Sequence, residues 1–181
     1  MKLLPPLFAA LLLLAACGPS DRPEAAPAPV ADNRALAALF RADQNIRKDG
    51  GPDLIESMAD AERRAQVRAM LDRGEVRSGT DYWRAGFIFQ HGDRPDDYLL
   101  AHALATAALS QGEQDGAWLA AASLDRYLLA TGRSQIYGTQ FFGSSDQPTR
   151  QSALDGALLT DAIRQATRVP PLAAQTPPPK P

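Results

Sequence analysis

The sequence predicts an all-α domain, a single compact bundle of five to six helices with a disordered segment at each end. Apolar residues recur at helical spacing through the central part of the chain, and Asn, Ser, Pro and Gly stand where helices would begin and end. No stretch alternates apolar and polar residues for long enough to indicate a sheet. The central part, residues 33–168, has the length of one domain with one hydrophobic core.

Three helices are predicted in the first half of this domain. The first spans residues 33–48, with Asn33 as its N-cap. The second spans 61–73 and ends at Gly74. The third spans 78–91, where a Ser-Gly-Thr stretch caps a segment rich in aromatic residues.

Three more helices are predicted in the second half, over residues 95–110, 115–131 and 149–168. Pro95 suits a first-turn position, and an alanine-rich face on the same helix permits close packing. Residues 99–132 resemble one tetratricopeptide or Sel1-type repeat. Because a solenoid needs roughly three such repeats, we expect a closed bundle that contains one repeat-like hairpin.

The N-terminus has the pattern of a secretory signal. Lys2 precedes an apolar run that is too short to cross a bilayer, and two alanines precede Cys17. The four residues Leu-Ala-Ala-Cys over 14–17 resemble the bacterial lipobox, which implies cleavage after residue 16 and lipid on the cysteine. Cys17 is the only cysteine, so lipidation also removes an otherwise free thiol. The alternatives are an ordinary secretory peptide or a short buried segment.

The segments on either side of the domain are rich in proline. Residues 17–32 would carry the lipidated cysteine on a Pro/Ala-rich tether, and residues 169–181 would form a second disordered tail. Gly18, rather than Asp, follows the cysteine. The resemblance therefore implies the periplasmic face of the outer membrane, with the membrane as one partner through the lipid.

Composition and missing motifs exclude several functions. The formal net charge of −2, without a dense Lys/Arg stretch, argues against nucleic-acid binding. There is no nucleophile elbow, zinc-protease motif or P-loop. We therefore expect no cofactor and no metal, and we expect His102, which lies among alanines, to be a core or rim residue.

A set of polar residues in the second half of the chain resembles the signature QH…LDR…Q-x-YGTQ of an uncharacterised bacterial family of helical domains. This resemblance implies a helical fold and a shared polar cluster, but no activity. Its residues form our candidate ligand or catalytic cluster: Gln90, His91, Asp93, Asp125, Arg126, Gln135, Tyr137 and Gln140.

Each part of this cluster has two interpretations. His91 at a helix end, beside Asp93, could be an acid, a base or an anion contact, or simply a histidine bonded to a carbonyl. Asp125 and Arg126 point about 100° apart on one helix, so each needs its own partner; the alternative is that both support the following loop by capping its backbone groups. The 135–143 loop suits a sugar, peptide or glycan ligand, or it is an ordered loop held by its own side chains.

Two hypotheses of function follow. The first is a non-catalytic envelope module that binds a protein or cell-wall component through His91, Arg126 and the 137–140 loop. The second is a periplasmic hydrolase in which His91 or Asp125 is the general base or acid, and Gln140 and Tyr137 orient the substrate. The second requires His91, Asp125 and Gln140 to converge on one concave pocket.

Overall fold

The computed structural model describes residues 30–49, 54–144 and 147–176, so the predicted signal peptide, Cys17 and most of the tether lie outside the described residues. Within these ranges the chain is mainly helical, which confirms the predicted all-α bundle. No helix in the described part of the chain is both long and apolar enough to cross a bilayer. The elements are α1 (Arg34–Ile46), a 3-10 turn (Arg47–Asp49), α2 (Leu54–Asp72), α3 (Gly79–Gln90), α4 (Pro95–Ser110), α5 (Gly116–Ala130), β1 (Phe141–Ser144), β2 (Gln147–Gln151), α6 (Asp161–Ala166) and a second 3-10 turn (Leu172–Ala174).

The predicted caps fix where α1 and α3 begin. The Asn33 side chain accepts hydrogen bonds from the backbone N–H groups of Ala35 and Leu36, at 2.9 and 3.1 Å. Ser78 caps α3 by accepting from the backbone of Asp81 at 3.0 Å. These bonds satisfy amides that have no partner inside the helix. Helix α2 differs from the prediction because it begins at Leu54, about two turns before residue 61.

Small residues set the close packing of α3, α4 and α5, which make the most extensive contacts in the domain. A Cβ on Gly116 would lie 2.7 Å from the backbone oxygen of Ala105, and one on Gly86 would lie 2.8 Å from Cδ2 of Leu119. Ala101 and its neighbours on the predicted alanine face of α4 are fully buried. The repeat-like hairpin therefore exists as α4 and α5, packed against α3.

A row of aromatic rings connects α1, α3 and α5. Phe40 lies 5.0 Å from Trp83, and Trp83 lies 4.9 Å from Phe87, measured between ring centroids. Phe87 stacks on Trp118 of α5 at 6.2 Å with an interplanar angle of 18°. This contact holds Trp118 at the edge of the bundle, next to the loop that follows α5.

The predicted helix over 149–168 is wrong. That segment contains most of β2, which pairs antiparallel with β1, then an irregular stretch with a turn, and only the six-residue helix α6. Long-range hydrogen bonds take the backbone groups that a helix would use: Ser152 N donates to Gln140 O at 3.1 Å, and Ala153 O accepts from Gln135 N at 2.9 Å. The cap of α6 is Thr160, whose hydroxyl accepts from Ile163 N.

The structured chain continues past residue 168 into the predicted tail. Val169 is 2 % exposed, and the segment then passes through a 3-10 turn to Thr176. The Gln175 side chain donates to the backbone oxygens of Tyr137 and Pro170 at 2.8 and 3.0 Å. Residues 169–176 therefore pack against the loop after α5, whereas the last residues of the predicted tail lie outside the described part.

Candidate functional site

Asp125 uses its carboxylate to hold the loop after α5. The side chain is fully buried, and its Oδ1 accepts from the backbone amides of Ile136 and Tyr137 at 2.8 and 3.0 Å. Its Oδ2 accepts from the amide of Thr139 at 3.0 Å and from the hydroxyl of the same residue at 2.8 Å. The interpretation that Asp125 caps backbone groups is therefore confirmed.

Gln135 connects the start of the loop to its end and to the chain after β2. It is fully buried, and its Nε2 donates to the backbone oxygens of Gln140 and Ser152, each at 3.0 Å. Its Oε1 accepts from the Gln140 amide at 2.9 Å. Every polar atom of this side chain therefore has a structural partner, which leaves none for a ligand.

Tyr137 and Gln140 belong to the same loop but differ in their surroundings. Gln140 Nε2 donates to the backbone oxygen of Ala122 at 3.3 Å and to the Thr139 hydroxyl at 2.9 Å. Burial raises the pKa of the Tyr137 phenol, and the negative charge of Asp125 raises it further. The phenol is therefore a neutral hydroxyl near neutral pH.

Arg126, next to Asp125 on α5, is a half-buried cation. Its Nε has no hydrogen-bond partner, and it makes no ion pair with a carboxylate of the described residues. Burial lowers the pKa of the Arg126 guanidinium, and the electrostatic interaction with Tyr98 offsets part of that shift. Tyr98 in turn donates to the backbone oxygen of Gly92 at 2.9 Å, which fixes its position. The guanidinium stays charged at neutral pH because its ordinary pKa is so high.

His91 ends α3, but its acidic partner is not the predicted one. Its Nδ1 lies 2.9 Å from Oδ2 of Asp43 on α1. Asp93 is instead 75 % exposed and pairs with Arg64 at 3.3 Å. Gln90 is buried, and its Oε1 has no partner. The structure therefore replaces the predicted His91 and Asp93 pair with a contact between α3 and α1.

Two cavities flank Arg126, which lines both of them. The loop cavity, of about 380 Å³, lies between α5, the loop after it and the C-terminal segment. The only charged side chain that lines it in the described structure is Arg126. The others are apolar, aromatic or neutral polar: Trp118, Gly138, Thr139, Gln140, Phe141, Val169, Pro170, Ala174, Gln175 and Thr176.

The arginine cavity, of about 350 Å³, lies on the other side of Arg126. Its walls are strongly polar and carry both signs of charge: Arg47, Ser57, Asp60, Arg64, His91, Gly92, Asp93 and Arg126.

The arginines of this second cavity, other than Arg126, are already paired. Arg47 lies 2.7 Å from Asp60 and 3.0 Å from Asp43, and Arg63 also contacts Asp60. Burial alone would raise the pKa of the Asp60 carboxyl. The hydrogen bonds and positive charges of Arg63 and Arg47 have the larger, opposite effect, so this pKa lies below its usual value. The cluster therefore joins α1 to α2 through ion pairs.

The predicted residues are thus divided rather than gathered in one place. His91 and Asp93 line the arginine cavity, Gln140 lines the loop cavity, and Arg126 alone lines both. The other members of the predicted set line neither cavity, and two of them, Asp125 and Gln135, are buried supports of the loop. His102, expected at the core or rim, is partly buried and lies 2.9 Å from the backbone oxygen of Ala120.

Sequence reasoning missed several residues that shape these cavities. Arg164 is 1 % exposed and donates to the backbone oxygens of Leu159, Ile136 and Gly156 at 2.7 to 3.1 Å. It thereby ties the α6 region to the loop after α5. No local pattern marks it, because its partners lie up to 28 residues away in sequence. The spacing of Asp43 and Arg47, four residues apart on a predicted helix, was a usable signal.

Comparisons with protein-family models, with curated proteins and with solved structures gave no match. The resemblance to the QH…LDR…Q-x-YGTQ family therefore stays a prediction. Among the residues that the structure describes, no group of three or more His, Cys, Asp or Glu side chains could hold a metal ion.

Proposed function

We propose that this chain is a membrane-anchored bacterial lipoprotein of the cell envelope, and that its helical domain is a non-catalytic module that binds an envelope component. The binding site is the loop cavity, with Arg126 as its charged contact. The partner is a protein or a cell-wall ligand.

The lipid anchor rests on the N-terminal sequence. A short apolar run ends in Leu-Ala-Ala before Cys17, and the chain has no other cysteine with which to form a disulfide. The proline-rich stretch that follows has few large apolar side chains, so it suits a tether between lipid and domain. About fifteen residues extend to at most roughly 50 Å, which keeps the domain close to its membrane.

One observation carries the binding function. Arg126 is a half-buried cation without a carboxylate partner among the described residues, and it lines a cavity whose other walls are neutral. An isolated buried charge is costly in free energy unless an opposite charge or hydrogen bonds compensate it. A ligand that brings such a charge would supply that compensation, so the cavity is suited to binding.

The contacts of the candidate catalytic residues support binding rather than hydrolysis. His91 and Gln140 line different cavities, and Asp125 accepts four hydrogen bonds from the loop. An acid or base must reach the reacting group directly or through one water. These three side chains do not meet that condition in one pocket, so we prefer the non-catalytic hypothesis.

Two experiments test the proposal. For the anchor, cells that express the chain are grown with a palmitate analogue, and Cys17→Ser is the control. We expect label and membrane association for the wild type and neither for the variant. Absence of label from a wild-type protein that is released into the soluble fraction would refute the anchor.

For the binding module, the purified protein is incubated with solubilised envelope, and the bound components are compared between wild type and Arg126→Gln. The matched control is Arg133→Gln, which removes the same charge from an exposed position next to α5. We expect one or more components to be lost with Arg126→Gln and kept with the control. Identical components for all three proteins would refute the site, and chemical conversion of a bound component would favour the hydrolase.

A further inference from the structure

We propose that the loop cavity binds the free C-terminal carboxylate of a peptide, with Arg126 pairing to the carboxylate and the neighbouring neutral groups contacting the last residues. This inference rests on the proposed binding function and names the class of its ligand.

The charge of Arg126 demands an anion. The carboxylates closest to Arg126 in sequence and those that line the arginine cavity already have other partners. Asp125 accepts hydrogen bonds from the loop amides. Asp60 pairs with Arg47 and Arg63, and Asp93 pairs with Arg64. The Arg126 guanidinium lines the loop cavity and has no carboxylate partner among the described residues, and its planar fork of N–H groups suits a bidentate contact with a carboxylate.

The anion belongs in the loop cavity rather than in the arginine cavity. In the arginine cavity the ligand would face Asp60 and Asp93, and the arginines there are already neutralised by these carboxylates. In the loop cavity Arg126 meets no opposing charge within the described structure. The carboxylates of Asp60 and Asp93 therefore weaken the attraction of an anion to the arginine cavity, whereas the positive charge of Arg126 is uncompensated in the loop cavity.

The other walls favour a carboxylate attached to a peptide over a phosphate. One guanidinium matches a single negative charge, whereas phosphate sites gather several cations or backbone amides. The Gln140 Nε2 is occupied by Ala122 and Thr139, so its Oε1 is the atom that can accept from a ligand N–H. Trp118 and Phe141 offer aromatic surface for a side chain. A volume of about 380 Å³ accommodates a ligand the size of a dipeptide.

Such a carboxylate has two sources in the envelope, the end of a protein chain and the end of a cell-wall stem peptide. The two differ in stereochemistry, since stem peptides end in D-amino acids. Peptides of either hand present the same anionic end to Arg126, so the test must include both.

The test is a thermodynamic cycle measured by isothermal titration calorimetry. The probes are N-acetyl-L-Ala-L-Ala, N-acetyl-D-Ala-D-Ala and the C-terminal amide of each, and the proteins are wild type, Arg126→Gln and Arg133→Gln. For the free acid of the preferred hand we expect a wild-type Kd on the order of 1 mM, given the few atoms of the probe. The amide should bind about 10- to 100-fold more weakly, because it loses the charge-assisted contact.

In Arg126→Gln the ratio of the Kd for the amide to the Kd for the acid should fall to about one, whereas Arg133→Gln should keep the wild-type ratio. Tighter binding of the D,D acid would assign the cell-wall source, and tighter binding of the L,L acid the protein source. Equal binding of acid and amide by the wild type, or no binding of any probe at about ten times the expected Kd, overturns the proposal. Because the wild-type comparison does not depend on a variant, the proposal remains falsifiable even if Arg126→Gln does not fold.

The failure of this ligand class differs from the failure of the proposed function. If no peptide binds but Arg126→Gln still loses an envelope component, the binding module stands and only the peptide carboxylate is wrong. If Arg126→Gln retains every component, the site itself is wrong.

Discussion

Replacing Asp125 by Asn should destabilise the domain strongly, although the two side chains have nearly the same shape. Oδ1 of Asp125 accepts two backbone amides, and Oδ2 accepts one amide and one hydroxyl. Asn can present its oxygen to only one of these pairs, and its NH₂ group must face the other. The least disruptive orientation places the NH₂ group toward Thr139, where the hydroxyl can rotate to accept but the amide cannot.

The magnitude follows from that orientation. One charge-assisted hydrogen bond is lost, worth roughly 1.5 to 3 kcal/mol, and one buried N–H is left without a partner, which costs roughly 1 to 3 kcal/mol. Since these values are not additive in full, we expect a loss of about 3 kcal/mol in the free energy of unfolding. Urea denaturation would then show a midpoint lower by about 1 to 3 M.

The matched control is Asp96→Asn in the first turn of α4, where the carboxylate is 84 % exposed and pairs only loosely with Arg94 at 3.8 Å. It should change stability by less than about 0.5 kcal/mol. Hydrogen exchange should localise the effect of Asp125→Asn, with faster exchange at the amides of Ile136, Tyr137 and Thr139. A loss below about 1 kcal/mol, or unchanged exchange at these amides, would refute the reasoning.

Three further predictions concern packing and charge. Arg164→Met should lower the free energy of unfolding by about 2 to 4 kcal/mol, because three backbone carbonyls lose a charged donor; an unchanged denaturation midpoint would contradict this. Gly116→Ala should destabilise by about 1 to 3 kcal/mol because its Cβ would meet a backbone oxygen of α4, whereas Gly86→Ala should cost less because its Cβ meets the end of a flexible side chain; equal costs in parallel denaturation curves would refute the distinction. Because the pKa of Asp60 is lowered in the folded state, its contribution is complete above the ordinary pKa of 3.8 and is lost as the pH falls through the lowered value. The stability deficit of Asp60→Asn should therefore shrink in urea titrations between about pH 6 and pH 2, and a deficit that is constant with pH would show that the ion pairs are not its cause.

The helices of this domain could be predicted because their signals are local. Asn33 and Ser78 cap their helices through amides two or three residues away, and Pro95 occupies a first turn. The same local rules failed over 149–168. There, Gln135 and Gln140 bond to the backbone of Ser152 and Ala153, and no helical periodicity reveals partners so far away.

The candidate site was predicted less well, for a related reason. The motif around Asp125 and Arg126 indicated the region where the loop cavity lies, but it did not separate the residue that supports the loop from the one that lines the cavity. That separation depends on which direction each side chain takes from α5 and on what lies there. Trp118 and Gln175 became part of the site only through contacts made by Phe87 and by the loop backbone.

The hydrogen bonds of Asp125 and Gln135 have a consequence for the rate and strength of the binding that we propose for the loop cavity. They hold the backbone of 135–140 in place without any ligand, so one wall of the loop cavity is preorganised. A ligand that enters needs to order little of that wall, and less of its interaction energy is lost to conformational entropy. Association should then proceed without a slow rearrangement of the loop, and differences in affinity among related ligands should appear mainly in their dissociation rates.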